Sequence, residues 1–444
     1  MTLLSAAPNA ATIVVEPGFN TLRAAVANAS AGDVLELRDG IYPSTASDLT
    51  IDKSLTIRAI NRAANPMVYF DYNDGLLISG SETEFILQGV NLGKNDRLND
   101  FKIEGDVESV ALLENAMTRV EASVVQVTDS DNNIATVDHL LVVGNSVFNV
   151  LGHGSFYNWG AEKTLLFAGN KLNYINITFA NFGAEHNVIG NVFTITDSQI
   201  NFQSTEYARI IGNQFIQNVS KSLGGSITGA SIGYVAMLYG AGEFVNNIIR
   251  QGLNPFSATG TPGNFRTLYL NGEWEVVNNV FEQSYDSLNE GVSTYHDSFD
   301  ISGSGLFSNN IIKGLIQPNL FDFTDSQAQN HFLISHNLCF ETKQNCPEGN
   351  GNQSGKDPMF LTDYQLATGS PAIDAGVDSN VYRDIDGSRA DLGAYGGVYP
   401  IDQFTKQLSP GVTSPFFYPL FEANSSLSNT GALTVKAVAV ARQR

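Results

Sequence analysis

The sequence predicts an all-β protein: a single right-handed parallel β-helix with a short N-terminal capping helix and an asparagine ladder. Three observations predict this fold. Short apolar segments interrupted by one asparagine recur along the middle of the chain. Apolar residues hold fixed places on both sides of that asparagine. An amphipathic, helix-like stretch stands before the first strands, where a stacked fold needs a cover for its open end.

The recurring segment reads apolar, then Gly, Asn or His, then Asn, then apolar, as in VIGNVF, IIGNQF and FVNNII. Successive asparagines lie 21 to 34 residues apart (191 minus 170 at the shortest, 247 minus 213 at the longest). Repeats of this length indicate a stacked architecture, and stacked amides can hydrogen-bond from rung to rung. We therefore interpret the column as architectural. Its members are Asn145, Asn170, Asn191, Asn213, Asn247, Asn279, Asn310 and Asn337.

The flanking positions of this column predict the shape of each rung. The residues three before and two after each asparagine are apolar, so both are predicted to face the core. The residue immediately before it is Gly in the first four copies, Asn in the next three and His in the last. Gly and Asn tolerate a left-handed backbone. Each rung is therefore predicted to contain a strand, a sharp corner and a second strand.

The N-terminal segment has a different pattern. Residues 1–11 are predicted to be a leader or a signal-peptide remnant, because a short apolar stretch is followed by small residues. An N-terminal cap is predicted over 12–45. There Leu22, Ala25, Val26 and Ala29 have helical spacing, and Gly32 is expected to end the helix.

The rest of the chain is divided by the repeat. The β-helix is predicted over 12–400, with regular rungs over 140–340 after less regular rungs over 95–135. The tail, 401–444, leaves the repeat, and its segment GALTVKAVAV alternates as a strand does. This tail is predicted to fold back along the helix, to pair with another chain, or to belong to a further domain.

Composition restricts the partners. The chain carries 24 Lys and Arg against 45 Asp and Glu, a formal net charge of −21. This charge argues against binding to nucleic acid or to an anionic membrane surface. An anionic polymer could bind only at a local basic patch or through a divalent cation. No apolar run reaches the length of a membrane span, so no membrane insertion is expected.

Cys339 and Cys346 are the only cysteines, and they lie in NLCFETKQNC. A disulfide that closes this short loop is predicted, with two free thiols as the alternative. No further cysteine is present to build a thiolate zinc site.

Two terminal segments resemble the secreted right-handed parallel β-helix proteins of the pectate-lyase-like superfamily. One is VVEPGFNTLRAAVANASAGDVLELRDGIYPS. The other contains DPMF, SPAIDAG, DIDG and DLGAY, and it closely resembles the closing module of many bacterial β-helix proteins. We assign this closing module to 355–400. The resemblance implies the fold and a bacterial extracellular, periplasmic or cell-surface location, and it does not by itself imply an activity.

The segment LNGEWEV is similar to part of the metal-binding strand of the alginate and dermatan lyases of polysaccharide lyase family six. Two glutamates separated by one residue help to hold calcium there, which implies calcium ligands at Glu273 and Glu275. The catalytic lysine of that family would fall at Val280, and its arginine about one rung later has no counterpart in HDSFDISGSG. The catalytic pair of that family is therefore absent.

Three long insertions precede strands in the rungs between Asn213 and Asn310. Insertions at corresponding places in a solenoid project from one face, which is often the binding face. Tyr295, His296 or a lysine is predicted to act as a general base. The alternative is that these Gly/Ser-rich loops are simply tolerated. The residues predicted to contact substrate are Tyr234, Tyr239, Arg266, Tyr269 and Tyr285.

A second column lies four residues before the asparagines. It places Arg209, Glu243 and Glu275 on successive rungs, facing outward and about 4.8 Å apart. Stacked carboxylates repel unless a cation or proton relieves them. One hypothesis is a calcium site at Glu243, Glu273 and Glu275, with Arg209 as a catalytic cation. The other is a surface Arg–Glu ladder.

These patterns leave two functions open. The first is a secreted lyase that cleaves a uronate-containing polysaccharide by β-elimination, with a cation or arginine to neutralise the carboxylate. The second is a non-catalytic solenoid at the cell surface that binds carbohydrate or forms filaments, with self-association through the tail. A polysaccharide partner is common to the lyase and to the carbohydrate-binding form of the second function.

Overall fold

The architecture is described from a computed structural model of the chain. The description covers 10–44, 47–70, 74–93, 100–118, 126–127, 136–148, 157–159, 161–173, 177–179, 185–196, 199–203, 207–219, 234–253, 266–284, 298–315, 319–323, 331–405, 416–420 and 436–440.

The largest sheet has 17 strands, which pair in parallel. Its members are β1 Thr12–Val15, β2 Val34–Leu37, β5 Leu55–Ala59, β8 Glu84–Gln88, β11 Asp106–Leu113, β14 Thr136–Val143, β16 Tyr157–Trp159, β17 Thr164–Ala168, β19 Ile177–Phe179, β20 Glu185–Ile189, β22 Ile200–Gln203, β23 Ala208–Ile211, β25 Tyr234–Val245, β27 Arg266–Val277, β29 Phe299–Ser308, β31 Phe321–Phe323 and β32 Phe332–Ser335.

A second parallel sheet of 13 strands forms another face of the solenoid. Its members are β3 Ile41–Ser44, β6 Met67–Phe70, β9 Asn91–Leu92, β12 Ala116–Thr118, β15 Ser146–Phe148, β18 Lys171–Asn173, β21 Val192–Thr196, β24 Gln214–Val219, β26 Ile248–Leu253, β28 Val280–Ser284, β30 Ile311–Lys313, β33 Leu338–Phe340 and β34 Gln353–Ser354.

Two smaller sheets complete the strands. A four-stranded parallel sheet forms the third face of the rungs that precede Asn145. Its members are β4 Leu49–Ile51, β7 Gly75–Ser79, β10 Asp100–Glu104 and β13 Gln126–Val127. A separate antiparallel pair in the tail consists of β35 Phe416–Leu420 and β36 Lys436–Val440.

The chain therefore passes three faces in each rung and pairs each strand with its equivalent one rung away. The predicted parallel β-helix is confirmed. In the later rungs the third face runs directly into the first, so that β25 pairs with both β22 and β23 of the preceding rung. The two faces meet there in one long strand.

The predicted asparagine ladder is also confirmed. The backbone N–H and the side-chain Nδ2 of each ladder asparagine both donate a hydrogen bond to Oδ1 of the next ladder asparagine. From Asn145 to Asn170 these donor–acceptor distances are 2.9 and 3.0 Å. Nδ2 also donates to a backbone carbonyl of the preceding rung. The ladder extends one rung further at each end, to Asn115 and Asn352.

The capping helix α1 runs over Thr21–Asn28. Leu22 and Val26 enter the core cluster beside the first strands, so the helix covers the end of the solenoid as predicted. The helix ends at Asn28, four residues before Gly32, because Ala29 already has an extended backbone.

Stacked aromatic rings fill the middle of the core. Phe167, Phe193, Phe215 and Phe244 occupy the inward positions of successive rungs, with ring centroids 5.1–6.2 Å apart. At the C-terminal end, Cys339 and Cys346 are both buried and form the predicted disulfide.

The closing module packs back along the outside of the late rungs. Asn246, Asn278 and Asn309, which directly precede ladder asparagines, have positive φ of 54–58°. Asn246 Nδ2 donates to the carbonyl of Gly396 at 2.6 Å, and Asn278 Nδ2 donates to that of Asp391 at 2.7 Å. Side chains of the corner thus hold the module by its backbone.

Apolar residues extend this contact. The residues directly after the ladder asparagines in the late rungs form a buried cluster with the closing module. The rung members are Ile248, Val280, Ile311 and Leu338, the module contributes Ala372, Leu392 and Ala394, and Ile401 directly follows the module.

The packed segment continues past the module into a short helix, α2, at Asp402–Thr405. Phe404 lies over Gly190 and Gly212, where an added Cβ would overlap the Phe404 Cβ and the Phe404 ring, respectively. A 3₁₀ turn at Thr362–Tyr364 completes the helices that the structure describes. None of the described helices has the length and apolarity to cross a membrane.

Candidate functional site

Four of the five residues predicted to contact substrate lie on β25 and β27. Together with the neighbouring strand β29, these strands form one outward face. Leu238, Leu270 and Ile301 from these strands enter the core. Because side chains alternate along a strand, the residues between them face outward. Met237, Tyr269 and Asp300 lie in register across the three strands, and so do Tyr239, Asn271 and Ser302.

Three tyrosines meet on this face. The ring centroids of Tyr234 and Tyr269 are 5.4 Å apart, and those of Tyr239 and Tyr269 are 5.5 Å apart. Tyr239 and Tyr269 are partly exposed, whereas Tyr234 is buried beneath them. Asn271 Nδ2 donates to the hydroxyl oxygen of Tyr269 at 3.2 Å. Three of the residues predicted to contact substrate thus lie side by side, and their contact with a ligand stays a prediction.

Arg266 lies beside this cluster and is held by two partners. Its Nη1 donates to the Tyr234 hydroxyl oxygen at 2.6 Å, and its guanidinium lies 5.1 Å from the centre of the Tyr234 ring. Tyr234 in turn donates its hydroxyl proton to Asp300. Arg266 Nη1 is also 3.5 Å from Asp300 Oδ2. The three side chains form one hydrogen-bonded chain.

Burial and the Asp300 carboxylate both raise the pKa of Tyr234. Its phenol therefore stays protonated and serves as a donor to Asp300. This makes Tyr234 a poor proton acceptor and a good support for Arg266.

A row of buried amides supports Arg266 from behind. Gln251 Nε2 donates to the Arg266 carbonyl at 3.0 Å and to Gln217 Oε1 at 2.9 Å, and Thr267 Oγ1 donates to Gln251 Oε1 at 3.0 Å. Gln251, Asn271 and Asp300 were not predicted from the sequence. A signal was present for the first, because glutamines stand four residues after three successive ladder asparagines.

A glycine column separates this face from the predicted calcium ligands. Gly240, Gly272 and Gly303 lie in register where the third face turns into the first. A Cβ on Gly272 would overlap the carbonyl oxygen of Gly240, so no side chain fits there. Glu275 follows Tyr269 by six residues on the same strand, up to about 20 Å along it. Glu275 therefore lies apart from the tyrosines, whereas Glu273 directly follows Gly272 on the same strand.

Arg209, Glu243 and Glu275 lie in register on successive rungs, as predicted. Arg209 Nε is 3.2 Å from Glu243 Oε1, and its Nη1 donates to Glu185 Oε2 at 2.8 Å. Burial raises the pKa of Glu243, and Arg209 opposes that shift. Two carboxylates, one of them not predicted, thus balance the charge of Arg209.

The residues predicted to hold calcium are spread over β25 and β27. Glu273 and Glu275 are exposed, and the Arg209 guanidinium occupies a place beside Glu243. Within the described part of the chain, no three His, Cys, Asp or Glu side chains come together as a metal-binding group. A calcium ion at Glu243, Glu273 and Glu275 stays a prediction.

Tyr285, Tyr295 and His296 lie outside the described residues. The predicted general base and one predicted contact therefore stay predictions.

Comparison with models of known protein families found no match, and neither did comparison with curated proteins. Among solved structures, a mutant of the PL6 family alginate lyase AlyGC matches with 15% identity and a TM-score of 0.35, covering 76% of this chain and 41% of that one. The chain thus spans about two fifths of that lyase. Pectate lyase Pel9A matches with 11% identity and a TM-score of 0.36, covering 87% and 96%.

A PL6 family polysaccharide lyase from Pseudopedobacter saltans, Pedsa3628, matches with 13% identity and a TM-score of 0.30, covering 74% of this chain and 92% of that one. At these values the matches carry no argument about activity. The architecture rests on the strand pairing of the chain itself.

Proposed function

We propose that this protein is a secreted, polysaccharide-active β-helix whose ligand lies across Tyr239, Tyr269 and Arg266. The observation that supports this proposal is the convergence of these side chains on one outward face with a fixed arginine. Partly exposed aromatic rings offer broad apolar contact with polar edges, which suits the faces of sugar rings. Arg266 adds several donors in a planar arrangement that suits carboxyl and hydroxyl oxygens.

The reaction that fits this face is β-elimination on a uronate-containing polysaccharide. The Tyr269 oxygen, to which Asn271 Nδ2 donates, takes the proton from C5 of the sugar, and the phenol hydrogen of Tyr269 passes to solvent. The C5–H electron pair forms the C4–C5 double bond, and the C4–O bond to the next sugar breaks. The departing oxygen takes a proton from solvent. Arg266 stabilises the negative charge that develops on the carboxyl oxygens.

The test is turnover, followed through the ultraviolet absorbance of the unsaturated uronate product, on alginate, pectate, dermatan and ulvan. Tyr269→Phe keeps the ring and removes the acceptor oxygen. It is expected to lower turnover by about 100-fold or more while the affinity changes little. Tyr382→Phe, on the closing module, is the matched control and should keep the wild-type rate. Equal rates for Tyr269→Phe and wild type would exclude Tyr269 as the proton acceptor.

The second candidate is a non-catalytic carbohydrate-binding solenoid. It is favoured by one observation: carboxylates already lie against both Arg209 and Arg266. Binding without any absorbance change on a panel of uronate polymers would support this candidate and contradict the lyase.

A further inference from the structure

We infer that the polysaccharide held by the Tyr239–Tyr269–Arg266 face carries few free carboxylates, as in an esterified uronate polymer, rather than the dense charge of a polyanion. This inference rests on the binding face proposed above and specifies its ligand. It follows from the charges on the face, on the same strands beyond it and on the whole chain.

The charge of Arg266 is balanced within the site. Asp300 is buried, lies 3.5 Å from Arg266 and is fixed by the Tyr234 hydroxyl. Tyr269, Asn271 and Ser302, at positions that lie in register across β25, β27 and β29, are uncharged. On the next strand, β31, Asp322 lies in register with Asp300 and adds a carboxylate. In the described part of this face, Arg266 and Asp300 thus form an electrically neutral pair, which can donate hydrogen bonds without attracting a negative polymer strongly.

The surroundings of the face repel anions. Beyond the glycine column, the same strands carry Glu243, Glu273 and Glu275, and Arg209 balances only part of that charge. The whole chain has a formal net charge of −21. A field of this sign slows and weakens the approach of a polyanion at low ionic strength, and salt screens it beyond about 10 Å.

The proposed chemistry agrees with an uncharged ligand. When the C5 substituent is an ester, no carboxylate charge has to be neutralised before the C5 proton leaves. The C5–H pair again forms the C4–C5 double bond as the C4–O bond to the next sugar breaks, and the proton goes to the Tyr269 oxygen. Arg266 then donates to the ester carbonyl oxygen, where negative charge develops in the transition state.

The first test compares two forms of one polymer. Highly methyl-esterified pectin and the same pectin after saponification differ only in their carboxyl groups. Calorimetric titration at low salt is expected to show at least about tenfold tighter binding of the esterified form, with the difference shrinking as salt is added. Tighter binding of the saponified form at low salt would overturn the inference while leaving the proposed face intact.

A charge variant locates the effect. Asp300→Asn leaves Arg266 unbalanced, and it is expected to shift the affinity ratio toward the saponified form by about tenfold. Glu82→Gln makes the same charge change on an exposed residue just before β8. The affinity ratio of the two polymer forms should stay as in the wild type. An equal shift in both variants would overturn the local account.

Folding controls keep the test decisive. Circular dichroism and the thermal midpoint show whether Asp300→Asn remains folded. Arg266→Gln provides a second variant, in which the residual affinity for the saponified form should fall at least as much as that for the esterified form. The opposite order would overturn the inference. Binding of neither polymer by the wild-type protein would contradict the proposed function itself, and the inference with it.

Discussion

The early rungs, with ladder residues from Asn145 to Asn213, and the late rungs, from Asn247 to Asn337, form the same corner from different residues. Before the ladder asparagine the early rungs have Gly and the late rungs have Asn or His, all with positive φ. After it, the early rungs have Ser146, Lys171, Val192 and Gln214, whereas the late rungs have buried Ile248, Val280, Ile311 and Leu338.

The reason for the difference is the closing module, which covers the late corners. Side-chain amides at Asn246 and Asn278 reach its backbone carbonyls, and the apolar residues after the ladder pack against its apolar side chains. At Gly190 and Gly212 the opposite requirement holds, because Phe404 leaves no room for a Cβ. The residue type at a corner therefore depends on what packs over the rung as well as on how the backbone turns there.

The asparagine ladder is common to both regions, and its interruption is expected to have the largest effect on stability. Asn279→Ala removes a buried amide that accepts from Asn247 and donates to Phe244 and Asn310. The free energy of unfolding is expected to fall by about 3–5 kcal/mol, because several buried groups lose partners at once. Urea denaturation measures it.

Asn170→Ala is the matched early-rung variant and should cost about the same. A much smaller loss at Asn170 would show that the ladder itself differs between the two regions.

The residue directly after the ladder asparagine distinguishes the late rungs from the early rungs, and its truncation is expected to have a smaller effect on stability. Ile311→Ala should lower the free energy of unfolding by about 2–4 kcal/mol, because Ile311 is fully buried under the closing module. Gln214→Ala, at the equivalent early position, should change it by less than about 0.5 kcal/mol. Urea denaturation of both variants checks this, and equal losses would contradict the proposed role of the module.

The smallest effect concerns pH and the closing module. Burial, together with the carboxylates of Asp384 and Asp374, raises the pKa of Asp391 to about 6. The folded state therefore binds more protons than the unfolded state between pH about 4 and about 6. Stability should fall by about 1 kcal/mol over that window as the pH rises, after allowance for the partial exposure of the group.

Asp391→Asn should lose this component of the pH dependence and be more stable than the wild type above pH about 6. Unfolding midpoints measured across the window check it. An unchanged slope in the variant would mean that another group is responsible.

The fold could be predicted largely from single positions. The ladder asparagines, their apolar neighbours and the capping helix each have one local physical reason, so their pattern can be read without a structure. The end of α1 was wrong by four residues, because Ala29 turned the chain before Gly32 did. The irregular rungs hid Asn115, whose neighbours are Glu114 and Ala116 rather than the usual pattern.

The site was less predictable. Tyr234, Tyr239, Arg266 and Tyr269 were identified because they flank insertions, and they do meet. Asp300 was missed because nothing in DSFDIS marks its carboxylate as the partner of an arginine on the preceding rung. The two glutamates of GEWEV matched a calcium motif in spacing alone, and spacing does not reveal a glycine column that sets them apart from the tyrosines.

The ladder has a consequence for how such a chain can change over generations. From Asn145 to Asn337, neighbouring ladder asparagines are 21 to 34 residues apart in sequence, yet the hydrogen bonds from each backbone N–H to the next Oδ1 keep donor–acceptor distances of 2.8–3.0 Å. The asparagine therefore sets the register of each rung, whatever the number of residues in that rung. Extra residues can therefore accumulate between two ladder asparagines without disturbing the stacking, and the residues of the proposed binding face can change while the rungs stay in register.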